Sequence, residues 1–176
     1  MIRDPPLYFD EIVATEKKKP DSATGLFTEK AIMFDQWKVL HLDEVESESI
    51  LFCRALEREN FAGHCESVRS LDEGKLYLER ALYTPQTLSR PDIIVINWHP
   101  DCDEHVLDFV HWVRVQPQLH DTPIIVFIQA QLSFAVQERA QRAGVTELIV
   151  RPDTFEELLP QVRTLLERCA ARSVVR

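Results

Sequence analysis

From Trp37 to Cys169 the chain alternates short apolar runs with longer amphipathic stretches. Lys38-Val39-Leu40-His41-Leu42 is apolar and stops at Asp43-Glu44, which predicts a buried strand with acids at its C-terminal end. Ser47 to Glu59 carries Ile50, Leu51, Cys53, Ala55 and Leu56 at helical spacing. Ala62 to Val68 reads as a weak strand, and Leu71 to Tyr83 as a helix with Leu71, Lys75, Leu78 and Leu82 on one face. Thr84 to Pro91 is a loop. Asp92 to Asn97 (DIIVIN) is a strongly apolar strand. Glu104 to Val115 is a helix, Pro117 to Thr122 a turn, and Pro123 to Ile128 (PIIVFI) another buried strand. Leu132 to Ala143 is a helix stopped by Gly144, a residue suited to the position after a helix end. Glu147 to Val150 is the fifth strand. Pro152-Asp153-Thr154 opens the last helix, whose Phe155, Leu158, Leu159, Val162, Leu165, Leu166 and Cys169 recur at helical spacing.

Five strands alternating with five helices predict an α/β fold with a doubly wound five-stranded parallel sheet. Sites in such sheets lie outside the carboxyl ends of the strands. Here those ends carry Asp43-Glu44, Asn97 to Pro100, Ile128-Gln129 and Arg151-Pro152. Residues 1–36 lack this periodicity and hold Pro5-Pro6, Lys17-Lys18-Lys19 and Pro20-Asp21-Ser22. They read as a mostly irregular N-terminal arm, with one short ordered piece around Phe27 to Phe34. The expected organisation is an arm at 1–36, a domain at 37–171 and a C-terminal tail at 172–176, which leaves no room there for an output domain.

Composition narrows the function classes. The 176 residues carry 20 Lys and Arg against 29 Asp and Glu, a net charge of −9. This disfavours nucleic-acid binding, which needs clustered cations. The longest apolar runs are far too short to span a bilayer, and the N-terminus has no apolar leader core, so a cytoplasmic location is expected. The four glycines (Gly25, Gly63, Gly74, Gly144) form neither a dinucleotide nor a P-loop signature. The four cysteines (Cys53, Cys65, Cys102, Cys169) form no CxxC pair and read as reduced, packed thiols.

Four segments resemble the receiver domain of response regulators, the CheY-like phosphoacceptor module: VLHLDEVESESIL, PDIIVINWHP, TPIIVFIQA and AGVTELIVRPDTFEELLPQVRTLL. The last is the most specific, joining a small-Gly step, a strand, a basic-Pro step and a Phe-x-x-x-Leu helix. The stretch between the second helix and PDIIVIN also resembles the single-domain regulators paired with bacterial phytochromes. The resemblance implies a receiver (flavodoxin-like) fold with strand order 2-1-3-4-5. It also implies five chemical positions: an acidic pair holding Mg²⁺, an Asp that takes the phosphoryl group, a Thr or Ser and a Lys that contact it, and an aromatic switch residue.

Matched position by position, the acidic pair is kept as Asp43 and Glu44, which alone could hold Mg²⁺ weakly. The phosphoacceptor-equivalent position is Asn97, a carboxamide far less nucleophilic than a carboxylate. The switch-equivalent positions are Ile128 for the hydroxyl, Leu148 for the aromatic and Arg151 for the lysine. The resemblance further implies a cis peptide at Arg151-Pro152, and opposite charges at one sheet end predict Asp43 or Glu44 bridged to Arg151. Trp98, in the loop over this pocket, and Trp112 are candidates for partner contact. The expected function is a non-phosphorylatable pseudo-receiver, not an enzyme and with no cofactor. It would act as a protein-binding module in two-component signal transduction or a phosphorelay. Its expected partners are a histidine kinase, another regulator, or a second copy through the 132–171 surface.

Three alternatives stay open. A phosphoryl group could go to an unusual residue such as Asp101 or Asp103. His99-Pro100-Asp101-Cys102-Asp103-Glu104-His105 could form a metal-dependent hydrolase loop, although Asp103 and Glu104 also suit a helix N-terminus. The chain could be a plain scaffold that docks through its arm.

Overall fold

The computed structural model describes residues 37–84, 88–98, 103–129 and 132–173. The expected arm at 1–36, with its Phe27 to Phe34 piece, lies outside the described residues, as do residues 99–102 of the His99–His105 cluster. The described elements are β1 (Lys38–Leu42), α1 (Glu46–Arg58), β2 (His64–Val68), α2 (Leu71–Tyr83), β3 (Ile93–Trp98), α3 (Asp103–Val115), β4 (Ile124–Ile128), α4 (Phe134–Ala143), β5 (Glu147–Val150) and α5 (Phe155–Ser173). The strands form one parallel sheet in the order β2-β1-β3-β4-β5, the doubly wound arrangement expected.

Strand periodicity divides the core in two. Leu40, Leu42, Ile94, Ile96, Trp98, Ile124, Val126 and Ile128 face α2, α3 and α4. Val39, Ile93, Val95, Ile125 and Phe127 face α1 and α5. Every residue of β3 and β4 is buried, as strands covered on both faces must be. The edge strand β2 is the most polar of the five, in keeping with its weak signal in the sequence.

Local chemistry sets the helix ends. Ser70 caps α2 by accepting from Glu73 N, and Glu73 in turn accepts from Arg69 N, a near relative of the capping box. Ser133 caps α4, so this helix starts later than its apolar pattern suggests. Gly144 ends α4 at φ 106°, a left-handed conformation that disfavours a side chain. Arg114, at the end of α3, ties the far side of the sheet together: it donates to Gly144 O at 2.8 and 3.0 Å and to Thr122 O at 2.8 Å. Gly74 lets α2 approach β1, since a methyl group there would collide with Leu42.

Two expectations change. Trp98 does not sit in a loop over the pocket. It is the last residue of β3, paired in register with Ile128 and only 1% exposed. The alternation that sends Ile94 and Ile96 toward α3 sends Trp98 there too, so it has no surface for a partner. The Arg151-Pro152 bond is trans, because no described peptide bond is cis. Trans is the intrinsically favoured isomer of an X-Pro bond. Trp112 is half-buried against the same core, with the Lys75 ammonium 5.2 Å from its ring centre.

Candidate functional site

The sheet register brings the site together. Leu42 pairs with Ile96, so the next positions, Asp43 and Asn97, face each other where β1 and β3 end. Period-two alternation puts His41 and Asn97 on the α1/α5 side of the sheet. Asn97 Nδ2 donates to Asp43 Oδ2 at 2.8 Å, and Val45 N donates to Asp43 Oδ1 at 2.9 Å. Asp43 is 3% exposed and Asn97 8%. The second acid, Glu44, points to solvent.

Two residues that the sequence did not single out complete the cluster. His41 is 2% exposed, and its ring stacks on Phe52 with centroids 4.4 Å apart. Its Nε2 lies 4.0 Å from Asp43 Oδ2. Burial pushes the imidazole down to about 4, against the pull of Asp43 and helped by Arg151, so the ring is neutral at pH 7. Glu48, in the first turn of α1, forms an ion pair with Arg151. The expected partner of Arg151 was Asp43 or Glu44. Glu48 takes that role from the start of α1, while Glu44 is exposed and borders a separate small cavity with Asp43 and Asn97. Asp43 still acts on Arg151 through its charge, opposing the downward push that burial exerts on the guanidinium.

His41, Asp43, Glu48, Asn97 and Arg151 line a cavity of about 10 Å³, closed by Phe52, Phe127 and Leu158. That is about one water molecule's worth of room. His41 Nδ1 and Asn97 Oδ1 are buried without a protein partner, the kind of groups an ordered water satisfies.

The other expected positions fall apart from this cluster. Ile128 packs with Trp98 on the α3 side, away from Asn97. Leu148 is half-buried against the same core. In the described part of the His99–His105 cluster, Glu104 is exposed and pairs with Arg139 of α4 at 3.0 Å. Among the described residues no group of three or more His, Cys, Asp or Glu could hold a metal ion.

Solved structures with this topology include the phosphorylated cyanobacterial phytochrome response regulator RcpA. It has a TM-score of 0.64 and 19% identity, over 75% of this chain and 92% of that one. Response regulator RPA3017, from red-light signalling of R. palustris, matches with a TM-score of 0.63 and 13% identity over 73% of this chain and 90% of that one. Chemotaxis protein CheY4 of Vibrio cholerae matches with a TM-score of 0.56 and 25% identity over 73% and 98%.

The chain has the CheY-like receiver fold.

The receiver fold puts Asp43, Asn97 and Arg151 at one end of its sheet. No protein-family model and no curated protein matches the sequence. Among the described residues of this receiver-fold chain, no helix is long and apolar enough to cross a membrane.

Proposed function

We propose that this chain is a pseudo-receiver: a protein-binding module of two-component-type signalling that takes no phosphoryl group and is not an enzyme. The observation that carries the reading is the bond from Asn97 to Asp43. It puts an uncharged amide, donating its proton, where a receiver needs a nucleophilic carboxylate. The losses at Ile128 and Leu148 point the same way, since a site that takes no phosphate has no use for residues that sense it.

The donor set also argues against Mg²⁺. This ion wants about six oxygens in octahedral array and favours anionic ones. Here both Asp43 oxygens already accept hydrogen bonds, Glu44 is exposed to solvent, and the amide nitrogen of Asn97 turns toward the carboxylate. We therefore assign the site no cofactor.

The signalling role rests on binding by the domain at 37–171, with 1–36 as an arm and 172–176 as a tail. The partner is a histidine kinase, another regulator, or a second copy of the chain through the 132–171 surface. Net charge of −9 speaks against nucleic acid, and we place the protein in the cytoplasm, away from membranes. The test is incubation of the full chain with acetyl phosphate and Mg²⁺, and separately with beryllium fluoride. The expected result is no gain of a phosphoryl mass and no change in melting temperature. A gain of one phosphoryl group would overturn the reading and locate the unusual acceptor.

A further inference from the structure

Cys53 lies on α1 and Cys65 on the edge strand β2, twelve positions apart in the sequence. Cys65 pairs with Val39 in the sheet, so it faces α1 across the edge of the α1/α5 core. Cys53 Sγ donates to Cys65 Sγ at 3.2 Å. A disulfide bond needs about 2.05 Å between the sulfurs, so closing the gap takes a shift of about 1.2 Å. Cys53 alone of the two lines an open cleft of about 410 Å³, together with Ser49, Arg54, Ser67 and Arg69. Ser67 Oγ lies 3.6 Å from Cys53 Sγ. Cys65 sits behind it. The pair thus has one thiol that a small solute reaches directly and a second in contact with the first.

We propose that Cys53 and Cys65 form a peroxide-sensitive dithiol, in which Cys53 is the attacking thiol and Cys65 the resolving one. In the first step the Cys53 thiolate attacks one oxygen of hydrogen peroxide. The O–O bond breaks, Cys53 becomes a sulfenic acid, and the departing hydroxide takes up the proton that Cys53 released, giving water. In the second step Cys65 attacks the Cys53 sulfur. The S–S bond forms, the S–O bond breaks, and the leaving hydroxide takes the Cys65 proton as a second water. Two thiols and one peroxide become one disulfide and two waters.

The electrostatics favour this division of roles. When Cys53 ionises, Cys65 becomes the donor to its thiolate and pushes Cys53 down to about 6, against burial and with help from Ser67. The same contact, together with burial, pushes Cys65 up. Glu57 opposes the ionisation of Cys53 and His64 favours it. The product would staple α1 to the sheet edge. Since α1 also carries Glu48, the partner of Arg151, the oxidation state of the pair bears on the helix that covers the receiver site.

The test uses the reduced full chain, treated with hydrogen peroxide, blocked with N-ethylmaleimide and mapped without reductant. The expected product is a Cys53–Cys65 linked peptide and a loss of two hydrogens in intact mass. Melting temperature rises by about 5 °C or more and falls back with dithiothreitol. In Cys65→Ser, or Cys65→Ala where the serine variant folds poorly, dimedone traps a sulfenic acid at Cys53 and the melting temperature does not rise. A dimedone adduct on Cys65 in the Cys53→Ser variant would overturn the assignment of roles. A link to Cys102, a link between chains, or full alkylation of both thiols after peroxide would overturn the pair itself.

Discussion

Asn97 Nδ2 donates to Asp43 Oδ2 at 2.8 Å across the ends of two adjacent strands, in a buried pair. An amide and a carboxylate suit each other there, while two carboxylates do not. In Asn97→Asp without metal, the two acids would share one site, and the pKa of one would rise. A carboxyl group with a raised folded-state pKa binds its proton more tightly folded than unfolded. Stability is therefore kept at low pH and lost as pH climbs above the unfolded value of about 4. The expected loss is about 2 kcal/mol at pH 7 in chelator, shrinking toward pH 4. Urea unfolding at both pH values measures it, and a loss independent of pH would remove the charge argument.

His41 supplies a second pH dependence, of opposite sign. Its pKa is pushed from 6.5 down to about 4, chiefly by burial. The unfolded chain then binds more protons than the folded one between those values, so stability rises with pH across that window and levels off above it. The expected size is up to about 3 kcal/mol. His41→Phe keeps a flat ring against Phe52 and removes the titration. The measurement is the stability difference between pH 4.5 and 7.5 in both proteins. An equal slope in the two would assign the acid sensitivity to another group.

The strands were legible because β3 and β4 are continuous apolar runs and the helices repeat at helical spacing. What the sequence concealed was contact through space. His41 looks like one more strand residue, and only the fold shows that it stacks on Phe52 beside Asp43. Glu48 sits among several acids at the start of α1, and nothing in its spacing marks it as the partner of Arg151. Trp98 reads as the first loop residue because the aliphatic run ends before it, whereas β3 extends through it and buries its ring. The Cys53–Cys65 contact depends on how a helix lies over an edge strand, which a spacing of twelve does not encode.

The ion pair between Arg151 and Glu48 fastens α1 to the end of β5, with both side chains partly buried. Glu48→Gln and Arg151→Gln should each destabilise the fold. The double variant should lose less than their sum, with a coupling of about 1 kcal/mol. Chemical denaturation of the four proteins completes the cycle. Additive losses would mean that the two groups do not act on each other in solution.

Restoring a receiver here should take more than one substitution. Asn97→Asp returns a carboxylate beside Asp43, so Mg²⁺ affinity should rise. Ile128 still has no hydroxyl to offer a phosphoryl oxygen, and Leu148 no ring to rotate. Adding Ile128→Thr does not repair this. Ile128 is buried among Trp98, Ile124 and Val126 on the other side of the sheet, so its hydroxyl would be buried in apolar surroundings. The expected cost of Ile128→Thr is about 2 kcal/mol, with no gain in response. A ligand shifts a conformational equilibrium only through contacts that differ between the two states, and the double variant still lacks them. The measurement is oligomer size and melting temperature of Asn97→Asp and of the double variant, with and without beryllium fluoride and Mg²⁺. The expected outcome is a Mg²⁺-dependent stabilisation in both and no further change with the fluoride. A strong fluoride-dependent shift in Asn97→Asp alone would mean that the switch survives intact behind a single amide.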